Sequence, residues 1–528
     1  MNIYKYFLIF ILSCSFFLVF KFLFFKDLFF AKNNNVNNLK NNILNEYTCN
    51  NHDDNNIIIK NDLLIIKISL KDGNIKKIYL TKFLERLNSY KLLNILSDSK
   101  NSDYELEQNL NVINEKLSNN ENINSFKTKD NKNFFFLKEN EKELKVSIYK
   151  YNSPQITYVK NFILKKNSYL IKITYDIFNY SRLPLKSYFS VNIKNRLDFH
   201  EDNNYKDIAL YSKGNNYKKY NIKSINKNIL IKDNYYKWIT LLQKYFLISF
   251  LSLDNYFNNI CFKKDNNIIT VKFNSSYFNL FPNKINKIST NIWAGPKIRE
   301  QLINEDKSLE LLIDYGFFWF ISYPSFEVLK ILNKFFKNWG ISIIFFTILI
   351  RIVIYPIVKS QYESMIKIKN LQPEISIIKN KFFNDKNKQN EEIIKLYKLN
   401  KINPFSGCLS VFLQMPIFFS LYNVLSNSVE LRHSPFMFWI KDLSEPDNYF
   451  ILPILMTLTT FVLQVMSNDN IDHNDNYQNL FSKIVPFIFT IFFLWLPSGL
   501  VLYYVINNVF TIFQQKVILS LLINKKEK

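Results

Sequence analysis

The chain is poor in the residues on which soluble enzymes most often build a reactive site. Seven glycines in 528 residues leave no Walker-type loop to cradle a phosphate, which argues against a nucleotide-driven device. The four cysteines, Cys14, Cys49, Cys261 and Cys408, show no metal-ligand spacing. Cys14 and Cys408 sit in apolar runs. Cys49 and Cys261 share the large polar region, where a disulfide is one option that nothing in the spacing supports. None of the four histidines (His52, His200, His433, His473) is paired at ligand spacing, which argues against a zinc centre or a Ser-His-Asp triad. No cofactor is expected. Arginine is scarce too, six residues against 62 lysines. The formal charge of +24 invites a nucleic-acid reading. The lysines, however, are spread with Asn, Ile and Phe over the whole chain, as an A/T-biased coding sequence would give, and are not gathered with aromatics on one surface.

Against that background one arginine stands out. Arg351 lies inside the apolar run Gly340–Val358 (GISIIFFTILIRIVIYPIV), long enough to span a bilayer core of about 30 Å as a helix. A guanidinium near mid-span costs about 3 kcal/mol on insertion scales, so an intramembrane Arg reads by default as functional. Most basic residues here are Lys, yet the one in this run is Arg, which stays charged where a buried Lys can shed its proton. The reading is a permanent positive charge in a wet pocket within the membrane. The plainer alternative is a snorkelling side chain, since Arg351 lies about 10 Å from the cytoplasmic end of the run.

Apolar residues from 6 to 25 point to a first membrane helix, an uncleaved anchor over 1–25. Ile11-Leu12-Ser13-Cys14 loosely resembles a lipoprotein cleavage box, but the apolar run continues past Cys14. An Asn/Lys-rich linker follows over 26–56, then a domain over 57–310 with short alternating runs. Leu63–Leu70 and Ile75–Leu80 flank Asp72-Gly73, a hairpin signal. Further strands are expected at 143–151, 156–164, 169–179, 187–195, 245–252, 267–274 and 287–294, giving a β-sandwich. Residues 97–133 read as a polar loop, and His200-Glu201 as solvated rather than catalytic. Phe326–Lys337 reads as an amphipathic helix. Glu327, Lys330, Lys334 and Lys337 share one stripe, with Val328, Leu329, Leu332, Phe335 and Phe336 opposite. With Trp319 and Trp339 at its flanks, the segment 311–339 is expected in the membrane interface. After the span 340–358, the stretch 359–407 holds ten Lys and five acids. It suggests a helical hairpin of arms Gln361–Phe382 and Glu391–Lys401, bent at Pro373 and closed by Asn384-Asp385-Lys386-Asn387. Its positive charge marks it as cytoplasmic. Spans at 408–427, 449–466, 481–496 and 500–522, with an outer loop at 428–448, an inner loop at 467–480 and a short basic tail at 523–528, complete a six-span multi-pass α-helical membrane protein. Both termini are then cytoplasmic and the β-domain periplasmic.

Several stretches resemble the YidC/Oxa1/Alb3 family of membrane protein insertases, in its Gram-negative YidC form. They are Asp314–Ser322 (DYGFFWFIS), Asn338–Pro356, Gln361–Pro373, Lys401–Tyr422 (KINPFSGCLSVFLQMPIFFSLY), Ser428–Ile440, Tyr449–Met456, Phe492–Tyr504 (FFLWLPSGLVLYY) and, in the outer domain, Lys237–Phe250 (KWITLLQKYFLISF). The resemblance implies a five-helix core enclosing a hydrophilic groove, open to the cytoplasm and to lipid and closed outside. It also implies an insertase rather than an enzyme, acting alone or with the Sec translocon. Arg351 matches the family's groove arginine, with Thr347 one turn earlier on the same face. Met415, Phe418 and Tyr504 match positions along which a substrate helix slides, although by spacing alone they read as lipid-facing or packing residues. The implied partners are nascent membrane proteins, the Sec translocon and the lipid bilayer. The hairpin is expected to receive nascent chains and targeting factors or the ribosome, whose docking through so short a tail is disfavoured.

A transporter for an anionic solute is the alternative, but it would show inverted repeats with broken helices at matched positions, and none is evident. A membrane-anchored mutarotase-like enzyme would need a convergent His/Glu pair, which the sequence does not display.

Overall fold

The computed structural model describes residues 56–468 and 490–526, apart from 71, 88, 100, 101, 104, 114–134, 140, 141, 154, 155, 197–206, 213, 215, 225–228, 232–234, 253–256, 266, 267 and 401–405. The chain divides into two compact units, Asn33–Ile313 and Asp314–Lys528 with the first 32 residues. The first membrane helix, the linker over 26–55, His200-Glu201, the inner loop 467–480 beyond Asn468 and most of the span 481–496 lie outside the described residues.

The first unit is built from antiparallel strands. Five of them, Asn56–Lys60, Leu64–Ser69, Ile75–Leu84, Leu92–Ser99 and Ser102–Asp103, form a meander in chain order. Its Asp72-Gly73 turn places Gly73 at φ 61°, a conformation that glycine adopts without strain. A second, fifteen-stranded sheet is centred on Ile156–Lys165, Leu170–Asn179, Ile285–Pro296 and Phe246–Ser252. Strand Leu170–Asn179 shows why it forms. Ile171, Ile173, Tyr175 and Ile177 alternate inward and are buried, while Leu170, Lys172, Thr174 and Asp176 face the other way. The two sheets meet where Lys160 Nζ donates to the Gly73 carbonyl at 2.6 Å. Gln108 N donates to Asn74 Oδ1 at 3.2 Å, and Phe83 packs edge-on against Phe246. Cys261 is not in a disulfide; Cys49 lies outside the described residues.

One sequence expectation fails here. The segment 97–133 is not simply a loop: Leu92–Ser99 and Glu105–Ile113 are strands. The second pairs with Leu185–Arg196 from Lys186↔Ile113 to Lys194↔Glu105. Polar residues mask its period of two, because Leu106, Gln108 and Leu110 point inward and Gln108 is satisfied by the Tyr175 hydroxyl at 3.2 Å. The unit also runs past residue 310. Helix α1 (Arg299–Glu305) and a 3-10 turn (Lys307–Leu312) are clamped to the sheet by the ion pair Lys237–Asp306. Trp238 Nε1 adds a bond to Ser308 Oγ at 2.8 Å, and Arg299 Nε one to Glu310 at 2.7 Å.

The second unit is helical: α2 (Trp319–Phe336), α3 (Trp339–Asn370), α4 (Gln372–Lys381), α5 (Lys386–Leu399), α6 (Ser406–Asn427), α7 (Ile451–Asn468) and α8 (Ser498–Lys526). Among the described residues one helix, Trp339–Ile368, is long and apolar enough to cross a membrane, with mean hydropathy 2.5, and Ile451–Met466 is a shorter apolar helix. α3 runs beyond Val358 to Asn370. It stops where Pro373, which has no N–H to bond in a helix interior, takes the second position of α4. Ile368, Leu371 and Ile375 then close on Ile393, Leu396 and Tyr397, which makes α4 and α5 the expected hairpin. Asp385 caps α5 by accepting from the Asn387 and Lys388 amides, each at 3.1 Å. α2 starts earlier than the charge pattern suggested. Phe326 and Leu329 are buried in the helical core, Lys330 folds onto Glu327 at 2.8 Å, and Phe335 is 76% exposed. Stacking of Phe336 on Phe345, centroids 4.4 Å apart, and of Phe326 on Trp339 fixes the rotation of α2.

Candidate functional site

The site is organised by α8. An apolar helix that carries Asn507, Asn508, Gln514 and Gln515 presents two amide rows, each with members seven residues apart and so on one face. All four side chains are buried. Asn508 Nδ2 donates to Thr459 and Thr460 Oγ1 at 3.1 and 3.0 Å, and Gln515 Nε2 to the Met466 carbonyl at 3.4 Å, so this row holds α7. Asn507 and Gln514 face α3. Gln514 Nε2 donates to the Arg351 carbonyl at 3.3 Å, and Arg351 Nε donates to Asn507 Oδ1 at 2.8 Å. Such bonds satisfy polar groups that would otherwise sit unmatched in an apolar bundle.

Arg351 itself is 9% exposed. Its one side-chain hydrogen bond among the described residues goes to an amide, and no carboxylate there lies within ion-pair distance. Tyr362, Tyr503 and Tyr504 stand within its electrostatic reach. The Tyr503 hydroxyl is held in turn by Gln414 Nε2 of α6 at 2.9 Å.

The other expected residues divide. Tyr504, within electrostatic reach of Arg351, packs edge-on to Phe418 at 6.1 Å, and both rings lie against Phe493 at 5.0 and 6.0 Å. Met415, one turn before Phe418 on α6, is 46% exposed and offers an apolar face. Thr347 is fully buried, and its hydroxyl donates to the Ile343 carbonyl at 2.7 Å. Sequence reasoning missed Asn507, Gln514, Gln414 and Tyr503. A weaker signal was present, since amides inside an apolar span need interhelical partners.

The end of this unit nearest Gly340 and Gly499 is covered by the loop between α6 and α7. Asp447 accepts from the Leu452 amide at 2.9 Å and from Trp439 Nε1 at 3.1 Å, which caps α7. Ser498 N and Gly499 N bond to the Glu445 and Leu443 carbonyls at 2.8 and 2.9 Å. A Cβ on Gly340 would meet the Phe436 ring at 2.1 Å, so glycine there is what lets the loop close down.

Comparisons with known proteins agree across both units. The family model described as YidC periplasmic domain matches residues 56–328, and the 60Kd inner membrane protein model matches 331–526. The proteins named Membrane protein insertase YidC from Blochmanniella floridana and from Buchnera aphidicola subsp. Schizaphis graminum are 40% and 41% identical. The alignments cover 88% and 89% of this chain and 86% and 90% of those proteins. The protein of that name from Wigglesworthia glossinidia brevipalpis is 39% identical over 88% of each chain. A solved structure described as an active YidC insertase with the first transmembrane domain resolved aligns over 87% of this chain and 91% of that one. Its identity is 18% and its TM-score 0.37, a likeness that carries no weight on its own. With one family model covering more than half of the sequence and relatives near 40% identity along most of its length, the chain belongs to the YidC family of membrane protein insertases and is an inner-membrane insertase with a periplasmic β-domain.

Proposed function

We propose that Arg351 is the working charge of a hydrophilic groove through which polar stretches of client proteins cross the membrane. The observation that carries this reading is a buried guanidinium whose only side-chain partner among the described residues is the Asn507 amide. A client's acidic head must otherwise cross hydrocarbon at a cost of several kcal/mol per charge. A cation set partway along shortens that crossing and neutralises the head in transit. The apolar face of Met415, Phe418 and Tyr504 receives the client helix beside it, Met adapting to varied sequences. Thr347 supports the α3 wall. Release into lipid follows hydrophobic partition, so the cycle makes and breaks no covalent bond and uses no cofactor.

In this reading six spans cross the bilayer, at 6–25 and within the intervals given above, with helices two to six forming the five-helix core. Both termini and the α4–α5 hairpin are cytoplasmic, and α2 lies in the outer interface with Phe335 and its neighbours toward lipid. Nascent membrane proteins are the clients, taken up alone or beside the Sec translocon, with the hairpin as the landing point for ribosome or targeting receptor. Complementation of an insertase-depleted strain tests the role of Arg351, read by protease protection of a small client with an acidic head. Arg351→Ala is expected to fail and Arg351→Lys to insert at a reduced rate. Full insertion by Arg351→Ala would refute the groove role.

A further inference from the structure

We infer that Asn507 is a positioning residue: its amide oxygen fixes the Nε edge of Arg351 so that the Nη edge is aimed at the client's carboxylate. This rests on the groove reading above. A guanidinium has five N–H donors in one plane, one on Nε and four on the two Nη atoms. The Nε donor is committed to Asn507 Oδ1 at 2.8 Å, and among the described residues neither Nη makes a hydrogen bond or ion pair. Holding one edge of a planar group sets the direction of the others, and the Nη edge is the one that takes a carboxylate through parallel bonds.

Three further contacts make the hold rigid. Asn507 is 5% exposed and sits beside Thr511, whose hydroxyl returns to the Asn507 carbonyl at 2.7 Å. Gln514, two turns on, donates to the backbone carbonyl of Arg351, so α8 grips both the side chain and the main chain of one residue. On the opposite row Asn508 anchors α8 to Thr459 and Thr460 of α7. Asn507 therefore acts through Arg351, and its role concerns direction rather than charge. A lysine at 351 would supply charge without an Nε edge to hold.

The test uses full-length protein in proteoliposomes and one client in two forms, with its head carboxylates intact or changed to amides. Asn507→Leu removes the acceptor while keeping the branched shape of the side chain. It is expected to slow the carboxylate-headed client about three- to tenfold, the scale of one net hydrogen bond, and to leave the amide-headed client within about twofold. Asn507→Ser, which keeps an acceptor oxygen, is expected to recover most of the rate. In an Arg351→Lys background Asn507→Leu should add less than about twofold, because the two changes remove the same bond. Equal slowing of both client forms would make Asn507 a packing residue only and overturn the inference. So would a carboxylate-headed rate unchanged by Asn507→Leu while Arg351→Ala is defective, although the groove reading would then stand. An unimpaired Arg351→Ala control would overturn both.

Discussion

Among the described residues two basic side chains are buried, one in each unit, and they are spent in opposite ways. Lys160 of the β-unit is 3% exposed. Its ammonium bonds the Gly73 carbonyl at 2.6 Å, lies 5.1 Å from the Phe162 ring and 5.5 Å from Tyr175, and has further partners. A charge so surrounded is a clamp between two sheets, its burial offset by hydrogen bonding and ring faces. Arg351 has more donors and one amide bond. Burial of a cation therefore does not mark a functional site; what the fold leaves unmatched does.

Removing each charge should separate the two roles most strongly. Arg351→Ala is expected to cut insertion of a carboxylate-headed client tenfold or more, on the order of the cost of an unshielded intramembrane charge, without changing how much protein reaches the membrane. Lys160→Met should do the reverse. Leaving the Gly73 carbonyl unmatched costs about 1–3 kcal/mol, seen as a lower unfolding midpoint of the full-length protein by circular dichroism, with insertion unchanged below the transition. If Lys160→Met reduced insertion at constant stability, the contrast between clamp and working charge would break.

Glycines sharpen the same contrast at a smaller scale. A Cβ on Gly295 in the β-unit would meet Tyr169 at 2.7 Å, and one on Gly340 would meet Phe436 at 2.1 Å. Each Ala substitution is expected to destabilise by about 1–3 kcal/mol through overpacking. Only Gly340→Ala should also slow insertion, because it lifts the loop that covers that end of the helical unit. Protease protection beside thermal unfolding distinguishes the two. Smaller again is Asn508→Leu, which removes two interhelical bonds and is expected to cost about 1.2 kcal/mol, twice the average for one such bond in a membrane bundle.

The last difference, absent at neutral pH, is in acid sensitivity. Burial, and then Arg432, pull the His433 imidazole down to about 4, partly countered by Asp442. An unfolded histidine takes its proton near 6.5, so the unfolded state binds more protons between those values, and stability falls as pH drops from about 6.5 toward 4. In the β-unit burial pushes Asp306 up, but hydrogen bonds from Lys237 and Ser308 outweigh it and hold the carboxyl below its ordinary range. Its contribution is present above about 3.9 and is lost only below that pH. Acid titration followed by near-ultraviolet circular dichroism should therefore show the histidine-linked loss first, and His433→Gln should remove it.

How much of this was legible in the sequence follows from the kind of signal each region carries. Strand Leu170–Asn179 announces itself because Ile171, Ile173, Tyr175 and Ile177 take four successive inward positions. Strand Glu105–Ile113 hides because Gln108 takes an inward position that only a partner distant in sequence, Tyr175, makes tolerable. Arg351 was visible as a charge in an apolar run, whereas Asn507 and Gln514 carry no charge and passed as ordinary members of a span. The pairing that gives them meaning joins residues 156 positions apart, and local periodicity does not report it. Stacking of Phe336 on Phe345 sets which face of α2 turns to the core, and a helical wheel does not report that contact.

The most direct test of the central claim is a ratio: the insertion rate of the carboxylate-headed client over that of its amide-headed form, measured in proteoliposomes with Arg351 present and with Arg351→Ala. The account expects the ratio to fall by about tenfold on substitution, with the amide-headed rate nearly constant. A ratio that stays the same, whether both rates fall together or neither does, would contradict it.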